Sequence, residues 1–561
     1  MSLKVLNDKK IISDKKIKQA INVEHFVFDL FRKGVNIEEI GNIFENSLGR
    51  FERKHKGQYY TPKEIVDYML TYLNIDEETR IVDPACGCGI FLVSIMEMLK
   101  SKYNGSKYEN IYGVDLNPVA VSITRLSLIV KSGFNDELVN LFKRNIRVGN
   151  SIVSNKKYDN LAFQWFKEFP TVFDRGGFDI VIGNPPYVTL KKSKDFDPEE
   201  SLYPHLINGP VNAATLMIGR GLEILKEGGL LAFVLPKTIL RVESYSSLRE
   251  YLLKNTKIIQ IFDLGSKFKD VRGEQIILII KKEKPTPDHE IIVRAVTNKT
   301  KSLFEQPIYK VKQSLFLKFN KILIFDDKKI YLLLDKITTG KTELSKIVNG
   351  SIIRGLPIKR NVLCTSEKTY NNDDYEKVVR GRSISKFKIN EILYVDKDVV
   401  NKFSKNKLSV FYQKKIVLQN IFSSESGIIA AYDNQGILSL DTVTNIIITD
   451  DIWAKYILCL LNSKLINFYI IYGQYNCSKL TMHADRTYIG KIPIVTNPKK
   501  EYLKKAVELV DYAMKEVDIN KIKTILRKID EVVYRIYDLT IDEISLIEKK
   551  MGQILSPKSR W

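Results

Sequence analysis

Residues Phe178–Leu190 read FDIVIGNPPYVTL. The run Phe178-Asp179-Ile180-Val181-Ile182 has the pattern of a buried strand. It stops on Asn184-Pro185-Pro186-Tyr187, and two prolines end a strand because neither donates a ladder hydrogen bond. Two readings of this corner are open. In one it is a rigid turn with an Asn cap. In the other it holds a fixed amide and a flat ring where a planar substrate can sit.

Working outward, strands and helices alternate from Arg80 to Lys282. RIVD, NIYGVD, IRVG, FDIVIG, LLAFVLP, KIIQIFDLG and EQIILIIKK read as strands, the last closing the series. GIFLVSIMEMLKSKY, PVAVSITRLSLIVKSG, AATLMIGRGLEILKEGG and SSLREYLLKN read as helices, with Gly228 and Gly229 as C-capping residues of the third. This alternation predicts an α/β fold with a mostly parallel, doubly wound, Rossmann-like sheet, whose ligands bind beyond the carboxyl ends of its strands. Residues 1–56 read as an N-terminal helical segment and 57–310 as the α/β domain. After PTPDHE (Pro285–Glu290) the rhythm changes. Residues 311–497 carry short β-like runs such as KIVLQNIF, GIIAAYD and VTNIIITDD, the pattern of a separate α+β domain. Residues 498–561 are helical again, with Thr540 and Glu543 spaced as a capping box.

The chain has 561 residues, 44% of them hydrophobic, enough for several cored domains. No apolar run is long enough to span a bilayer, and no apolar h-region follows the basic start. Five cysteines form no disulfide framework, which fits a reducing, cytoplasmic location. Cys86 and Cys88 lack a second Cys/His pair at zinc spacing, so no metal is expected. Lys+Arg number 88 against 66 Asp+Glu, a net charge of +22. Such an excess favours a polyanionic partner, most often nucleic acid; solvated surface lysines are the alternative.

Four strand ends carry small or polar residues in series. IVDPACGCGIF places Asp83 at a strand end before a glycine-containing turn; it is not the GxGxxG dinucleotide fingerprint. IYGVDLNP places Asp115 where an acid can take ribose hydroxyls, or cap the helix that starts at Pro118. IRVGNSI places Asn150 at a third strand end, and Asn184 follows the fourth. Upstream, in GQYYTPKEIVDYML, Thr61-Pro62 opens a helix with Pro62 at its first position.

GQYYTP, DPACGCG, GVDLNP, GNS and GNPPY, in that order, resemble the gamma-class N6-adenine DNA methyltransferases. These include Taq I-type enzymes, type I modification subunits and type IIG restriction–modification proteins. The resemblance covers the N-terminal half well and the C-terminal half loosely. It implies S-adenosylmethionine as cofactor. Tyr60 and Thr61 would hold its amino-acid end, and Asp83, Ala85 and Gly87 would line its methionine part. Asp115 would take the ribose, with Leu116 and Ser151 in the same lining. Asn150 stands where many relatives carry Asp against the adenine amino group.

The exocyclic amine of adenine is a poor nucleophile because its lone pair is delocalised into the ring. The Asn184 side-chain oxygen and the Pro185 carbonyl can accept its two N–H groups and free that pair, with Pro185 and Pro186 fixing the geometry. A methyl on a sulfonium needs no acid to leave, and none of the five histidines lies in these motifs. The base must flip out of the duplex. Tyr187 offers one stacking face and Phe268 a second, unless Phe268 is a loop hydrophobe packed on the core. Lys191 and Lys192 would meet phosphate or close over the base, or belong to a plain solvated loop.

By the same resemblance 311–497 is a target-recognition domain, with Arg354, Lys359, Arg360, Arg380 and Arg382 as DNA-contact candidates from charge alone. The implied partner is double-stranded DNA, with a separate restriction endonuclease as a further one. The chain is expected to act as a nucleoid-associated monomer, without a nuclease module or a membrane. A protein (glutamine) or RNA methyltransferase, and a non-catalytic DNA-binding subunit, are the alternative functions.

Overall fold

The computed structural model describes residues 61–103, 107–133, 136–157, 159–190, 203–265, 273–295, 302–325, 327–349, 351–364, 374–477 and 481–555. The expected N-terminal helical segment (1–56) lies outside them, as do Tyr60, Lys191, Lys192 and Phe268. The chain divides into two compact units, Met1–Asp326 and Asp327–Trp561.

The first unit is built on one nine-stranded sheet. Its strands are β1 (Ile81–Asp83), β2 (Ile111–Asp115), β3 (Ile146–Val148), β4 (Phe178–Gly183), β5 (Leu225–Pro236), β6 (Lys257–Gly265), β7 (Gln275–Lys281), β8 (Glu290–Ala295) and β9 (Ile308–Lys312). Across the sheet they run β3-β2-β1-β4-β5-β7-β6-β8-β9. β1 pairs in parallel with β2 and β4, β2 with β3, and β4 with β5. Only β7 and β9 oppose the others. Helices cover the faces, so β1 is buried throughout and β4 at five of its six residues. That is why these strands are apolar runs with no polar alternation.

The longer helices are α1 (Lys63–Thr71), α2 (Ile90–Lys102), α3 (Pro118–Ser132), α4 (Asp136–Asn145), α5 (Ala213–Ile224), α6 (Ser246–Asn255) and α7 (Gln313–Phe319). The core between α1, α2, α3 and the sheet includes Val66, Met69, Phe91, Leu92, Ile95, Val121 and Leu128 with Ile81, Ile180 and Phe262. The chain winds outward from β1 to β3, then returns to place β4 on the other side of β1. The direction of winding therefore reverses between β1 and β4, the position at which sheets of this kind bind ligands beyond the carboxyl ends of their strands.

Four sequence expectations change. α5 ends at Ile224, so Gly228 and Gly229 do not cap it but lie inside β5. There they carry the register shift of β5 against β4, with Gly228 at φ +76° and Gly229 where a Cβ would lie 3.0 Å from the Asp179 carbonyl. EQIILIIKK is not the last strand, because β8 and β9 extend the sheet. The first compact unit runs to Asp326, beyond the expected boundary at 310, since β9 pairs with β8. Pro62 is the cap of α1 rather than its first residue.

The second unit holds two four-stranded sheets. One orders Ile352–Arg354, Val443–Ile447, Lys415–Gln419 and Ala430–Asp433, all antiparallel. The other orders Leu363–Cys364, Leu393–Asp396, Tyr375–Val379 and Leu438–Ser439. The C-terminal helices Lys500–Lys515, Ile519–Ile536 and Ile541–Ile554 belong to this same unit. Lys455 reaches Asp511 at 2.7 Å, and Asp530 accepts the Lys464 N–H at 2.7 Å. Thr540 and Glu543 form the expected capping box. Lys415 and Asp433 make a fully buried ion pair at 2.5 Å, whose acid also accepts the N–H groups of Gln435, Gly436 and Ile437. Among the described residues no single helix is long and apolar enough to cross a membrane; the bent pair Asp451–Asn462 and Lys464–Gln474 passes by length and composition, and most of its residues are buried.

Candidate active site

The crevice at the strand reversal is lined by acids. Asp83 ends β1 at 1% exposure, and its Oδ1 accepts the Ala85 N–H at 2.9 Å. Gly183, the last residue of β4, is required beside it, because a Cβ there would lie 2.6 Å from Asp83 Oδ1. Asp115 ends β2 and is also buried. Its Oδ2 accepts the Gly87 N–H at 2.9 Å and its Oδ1 the Asn117 N–H at 2.8 Å. Asn117, not Asp115, caps α3, accepting from Val119 and Ala120. The acid is thereby left to the crevice.

Burial pushes the Asp83 carboxyl up to about 8, against the Ala85 N–H and with help from Asp115. Burial likewise raises Asp115, opposed by the Asn117 and Gly87 N–H groups. Among the described residues neither acid has an ion-pair partner. Carboxylates desolvated without a counter-charge suit a ligand that brings a positive charge or hydroxyl donors. Gly87 has φ +51° and nothing within 4 Å of where its Cβ would stand, so its backbone faces open space. Leu116 beside it is 52% exposed, an apolar surface next to the acid.

Asn150 and Ser151 follow β3. The Ser151 hydroxyl donates to the Pro84 carbonyl at 2.5 Å and ties this turn to the end of β1. The Asn150 side-chain oxygen accepts from Ile152 at 3.1 Å and Val153 at 3.3 Å, while its amide donates to Asp159 at 2.7 Å. Its side-chain oxygen thus also holds the turn that follows β3.

Asn184 lies just beyond β4, half-buried, as are Pro186 and Tyr187; Pro185 is buried. Asn184 Nδ2 donates to Thr61 Oγ1 at 3.0 Å, and the Tyr187 hydroxyl donates to Asn184 Oδ1. That hydroxyl also lies 3.0 Å from the Val234 carbonyl of β5. Thr61, 3% exposed, precedes α1. Beyond the prolines the chain is held in place: Leu190 N–H donates to the Val211 carbonyl at 2.8 Å and Ala213 N–H to Val188 at 2.9 Å. Thr61, Asp83, Asp115, Asn184 and Tyr187 therefore share one edge of one sheet, with Asn184 and Tyr187 open to solvent in part.

Two groups at this edge escaped the sequence reading. Lys237 follows the terminal Pro236 of β5 at 6% exposure and pairs with Asp263 at 2.6 Å and Glu274 at 3.3 Å. Burial works against its charge, but the two carboxylates overcome that and raise its pKa. Its signal was positional, a charged residue right after a strand-ending proline. Arg220 in α5, 1% exposed, donates to the Ile152 carbonyl at 2.8 Å and to Ser154 at 2.7 Å, bracing the turn that holds Asn150. No local pattern announces it.

In the second unit, Lys359 and Arg382 are exposed. The exposed Arg354 donates to the Asp441 carbonyl at 2.7 Å, and Arg360 opens a short 3-10 turn. Arg380 is different: its guanidinium grips both oxygens of Glu391 at 3.0 and 2.7 Å. Arg380 therefore braces Glu391 within the second unit. Among the described residues no cluster of three or more His, Cys, Asp or Glu could hold a metal ion.

Two family models match the chain. Residues 109–269 match one described as Eco57I restriction-modification methylase, and residues 376–494 one described as TaqI-like C-terminal specificity domain. The type II methyltransferase M.VspI of Vibrio sp. (strain 343) is 28% identical over 298 residues, covering 52% of this chain and 64% of that protein. The putative type II restriction enzyme and methyltransferase RM.MjaORFECS2P of Methanocaldococcus jannaschii is 27% identical, over 67% of this chain and 32% of that protein. The chain thus spans less than two thirds of the length of these relatives. Among solved structures, the type IIL restriction–modification enzyme MmeI in complex with DNA aligns with a TM-score of 0.59 at 14% identity, covering 93% of this chain and 82% of that one. At that identity the likeness is one of fold.

Proposed function

We propose that this chain, which carries an Eco57I-type restriction–modification methylase domain and a TaqI-like C-terminal specificity domain, is a site-specific DNA methyltransferase. It moves a methyl group from S-adenosylmethionine to N6 of an adenine flipped out of duplex DNA. The observation that carries this reading is the Asn184 amide, gripped by Thr61 and Tyr187 at the strand reversal beside the buried acid Asp83.

The residues fit the cofactor: two buried acids with no ion-pair partner among the described residues, an open glycine turn at Gly87 and the exposed Leu116 suit a molecule with a positive charge, ribose hydroxyls and a flat ring. When bound, S-adenosylmethionine supplies a methyl group on a sulfonium that departs without acid assistance. Asp83, Ala85 and Gly87 would hold the methionine part, with Tyr60 and Thr61 at its amino-acid end. Asp115 would accept from the ribose, with Leu116 and Ser151 in the lining.

Asn184 Oδ1 and the Pro185 carbonyl accept the two N–H groups of the amine and draw its lone pair out of conjugation, a preorganised electrostatic effect. Pro185 and Pro186 hold these oxygens in place through the reaction. Tyr187 and Phe268 sandwich the flipped base. Lys191 and Lys192 meet backbone phosphate. The second unit reads the target, with Lys359, Arg360, Arg382 and Arg354 as its DNA contacts, mostly to phosphate. A net charge of +22 supports a DNA partner. We extend the proposal to a monomer in the cytoplasm of a prokaryotic cell, paired with a separate restriction endonuclease.

The test is expression in a host free of adenine methylation, followed by sequencing of its genome for modified bases. N6-methyladenine at one recurrent sequence, lost in Asn184→Ala, is the expected result. A genome without modified adenine, from cells making folded protein, overturns it.

A further inference from the structure

We infer that Thr61 and Tyr187 are positioning residues that set the orientation of the Asn184 amide and keep its oxygen ready for the incoming amine. The inference rests on the proposed base-activating role of Asn184. A carboxamide has two ends of similar shape and opposite hydrogen-bonding character, so only its partners decide which end faces a substrate. Here Nδ2 is taken by Thr61 Oγ1 at 3.0 Å, and Oδ1 receives the Tyr187 hydroxyl.

The Tyr187 hydroxyl has one proton and two acceptors in reach, Asn184 Oδ1 and the Val234 carbonyl at 3.0 Å. Before the base arrives, the proton satisfies Oδ1. When the amine donates to Oδ1, the same proton can turn to the Val234 carbonyl. Val234 belongs to β5, which pairs directly with β4, so the alternative acceptor is held by the sheet itself. Thr61, 3% exposed and just ahead of α1, couples this amide to the segment proposed to hold the cofactor's amino-acid end.

The experiment measures single-turnover methylation at saturating cofactor and DNA, with cofactor affinity by calorimetry and DNA affinity by fluorescence anisotropy. The full chain is used, with Thr61→Val, Thr61→Ser, Tyr187→Phe and the Thr61→Val/Tyr187→Phe pair. Thr61→Val is expected to lower the single-turnover rate about tenfold, the loss of one neutral hydrogen bond, and Thr61→Ser to restore most of it. Tyr187→Phe keeps the ring and should lower the rate several-fold with DNA affinity unchanged. The double variant should fall short of the product of the two losses, because both act on one amide.

A Thr61→Val protein that loses cofactor affinity but keeps its rate at saturation overturns the inference. So does a Thr61→Ser protein as slow as Thr61→Val while melting like the parent. Asn184→Ala keeps the two failures apart: normal turnover in that variant refutes the role of Asn184 itself. Loss of turnover there with full rate in Thr61→Val and Tyr187→Phe refutes only the positioning.

Discussion

At the amino-terminal edge of the first unit's sheet, Asp179 of β4 meets two cations. Its Oδ2 accepts from Arg80 Nε at 2.9 Å and from the Arg80 backbone N–H at 2.8 Å, and its Oδ1 pairs with Lys226. Burial works to raise this carboxyl, but Arg80 and Lys226 outweigh it and hold the group below the usual carboxylate range. At the opposite edge, Asp83 and Asp115 are buried more deeply, have no cation among the described residues, and are raised. Asp179 is ionised and neutralised within the fold. Asp83, raised to about 8 with no cation beside it among the described residues, keeps its proton at neutral pH. A buried acid without a counter-charge costs stability, and a ligand that brings the missing charge or donors offsets that cost. The contrast separates an acid held by the fold's own cations from two acids that are not.

The contrast can be broken at either edge. Removing the cation at the amino-terminal edge should have the largest effect: Arg80→Ala leaves a part-buried acid short of its main partner and should cost about 3–5 kcal/mol, read as a drop in unfolding free energy by denaturant titration. A loss under 1 kcal/mol would mean that the pair is not structural. At the other edge, Asn184→Ala should leave the denaturation midpoint in place while the single-turnover methylation rate falls about 10²–10³-fold. A fall in stability with a matching fall in rate would erase the distinction.

Asp83→Asn tests the raised acid directly. The folded chain binds this proton more tightly than the unfolded chain, for which a carboxyl of about 3.9 is usual. The associated stability is therefore full at acid pH and is lost as pH rises through about 8. Without cofactor, the Asn variant should melt above the parent at pH 8.5, with the gap closing toward pH 5. A gap independent of pH would remove the raised pKa. The smallest effect is expected from Lys226→Ala, whose side chain is 41% exposed. It should cost under about 1 kcal/mol in a thermal melt, and a larger loss would move the weight of the Asp179 pair from Arg80 to Lys226.

The legible features of this chain are those with short range along it. The seven strands read from Arg80 to Lys282 are all present, because apolar runs between turn residues report burial on both faces. The Thr540–Glu543 capping box spans four residues and was readable for the same reason. Strands β8 and β9 were not: β9 is largely unburied and carries no apolar run, and both are identified as strands by pairing with β6 and β8. Gly228 and Gly229 look like a helix stop in sequence, and only the bulged pairing of β5 on β4 shows why glycine is needed there. The partners of Asn150 and Arg380 were likewise not legible: Ile152, Val153, Asp159 and Glu391 meet them only in the folded chain.

By itself the sequence determined the α/β rhythm, the polar strand ends at Asp83, Asp115 and Asn184, and the chemistry those groups can offer. Each follows from local periodicity or from what a side chain can donate or accept. Tertiary structure alone decided which groups meet and in what electrical state. Thr61 reaches Asn184 across 123 residues, Lys237 gathers acids from β6 and from the residue just before β7, and Asp83 is raised while Asp179 is lowered. Hydrogen-bond partners and desolvation depend on distances in space, and spacing along the chain does not encode them.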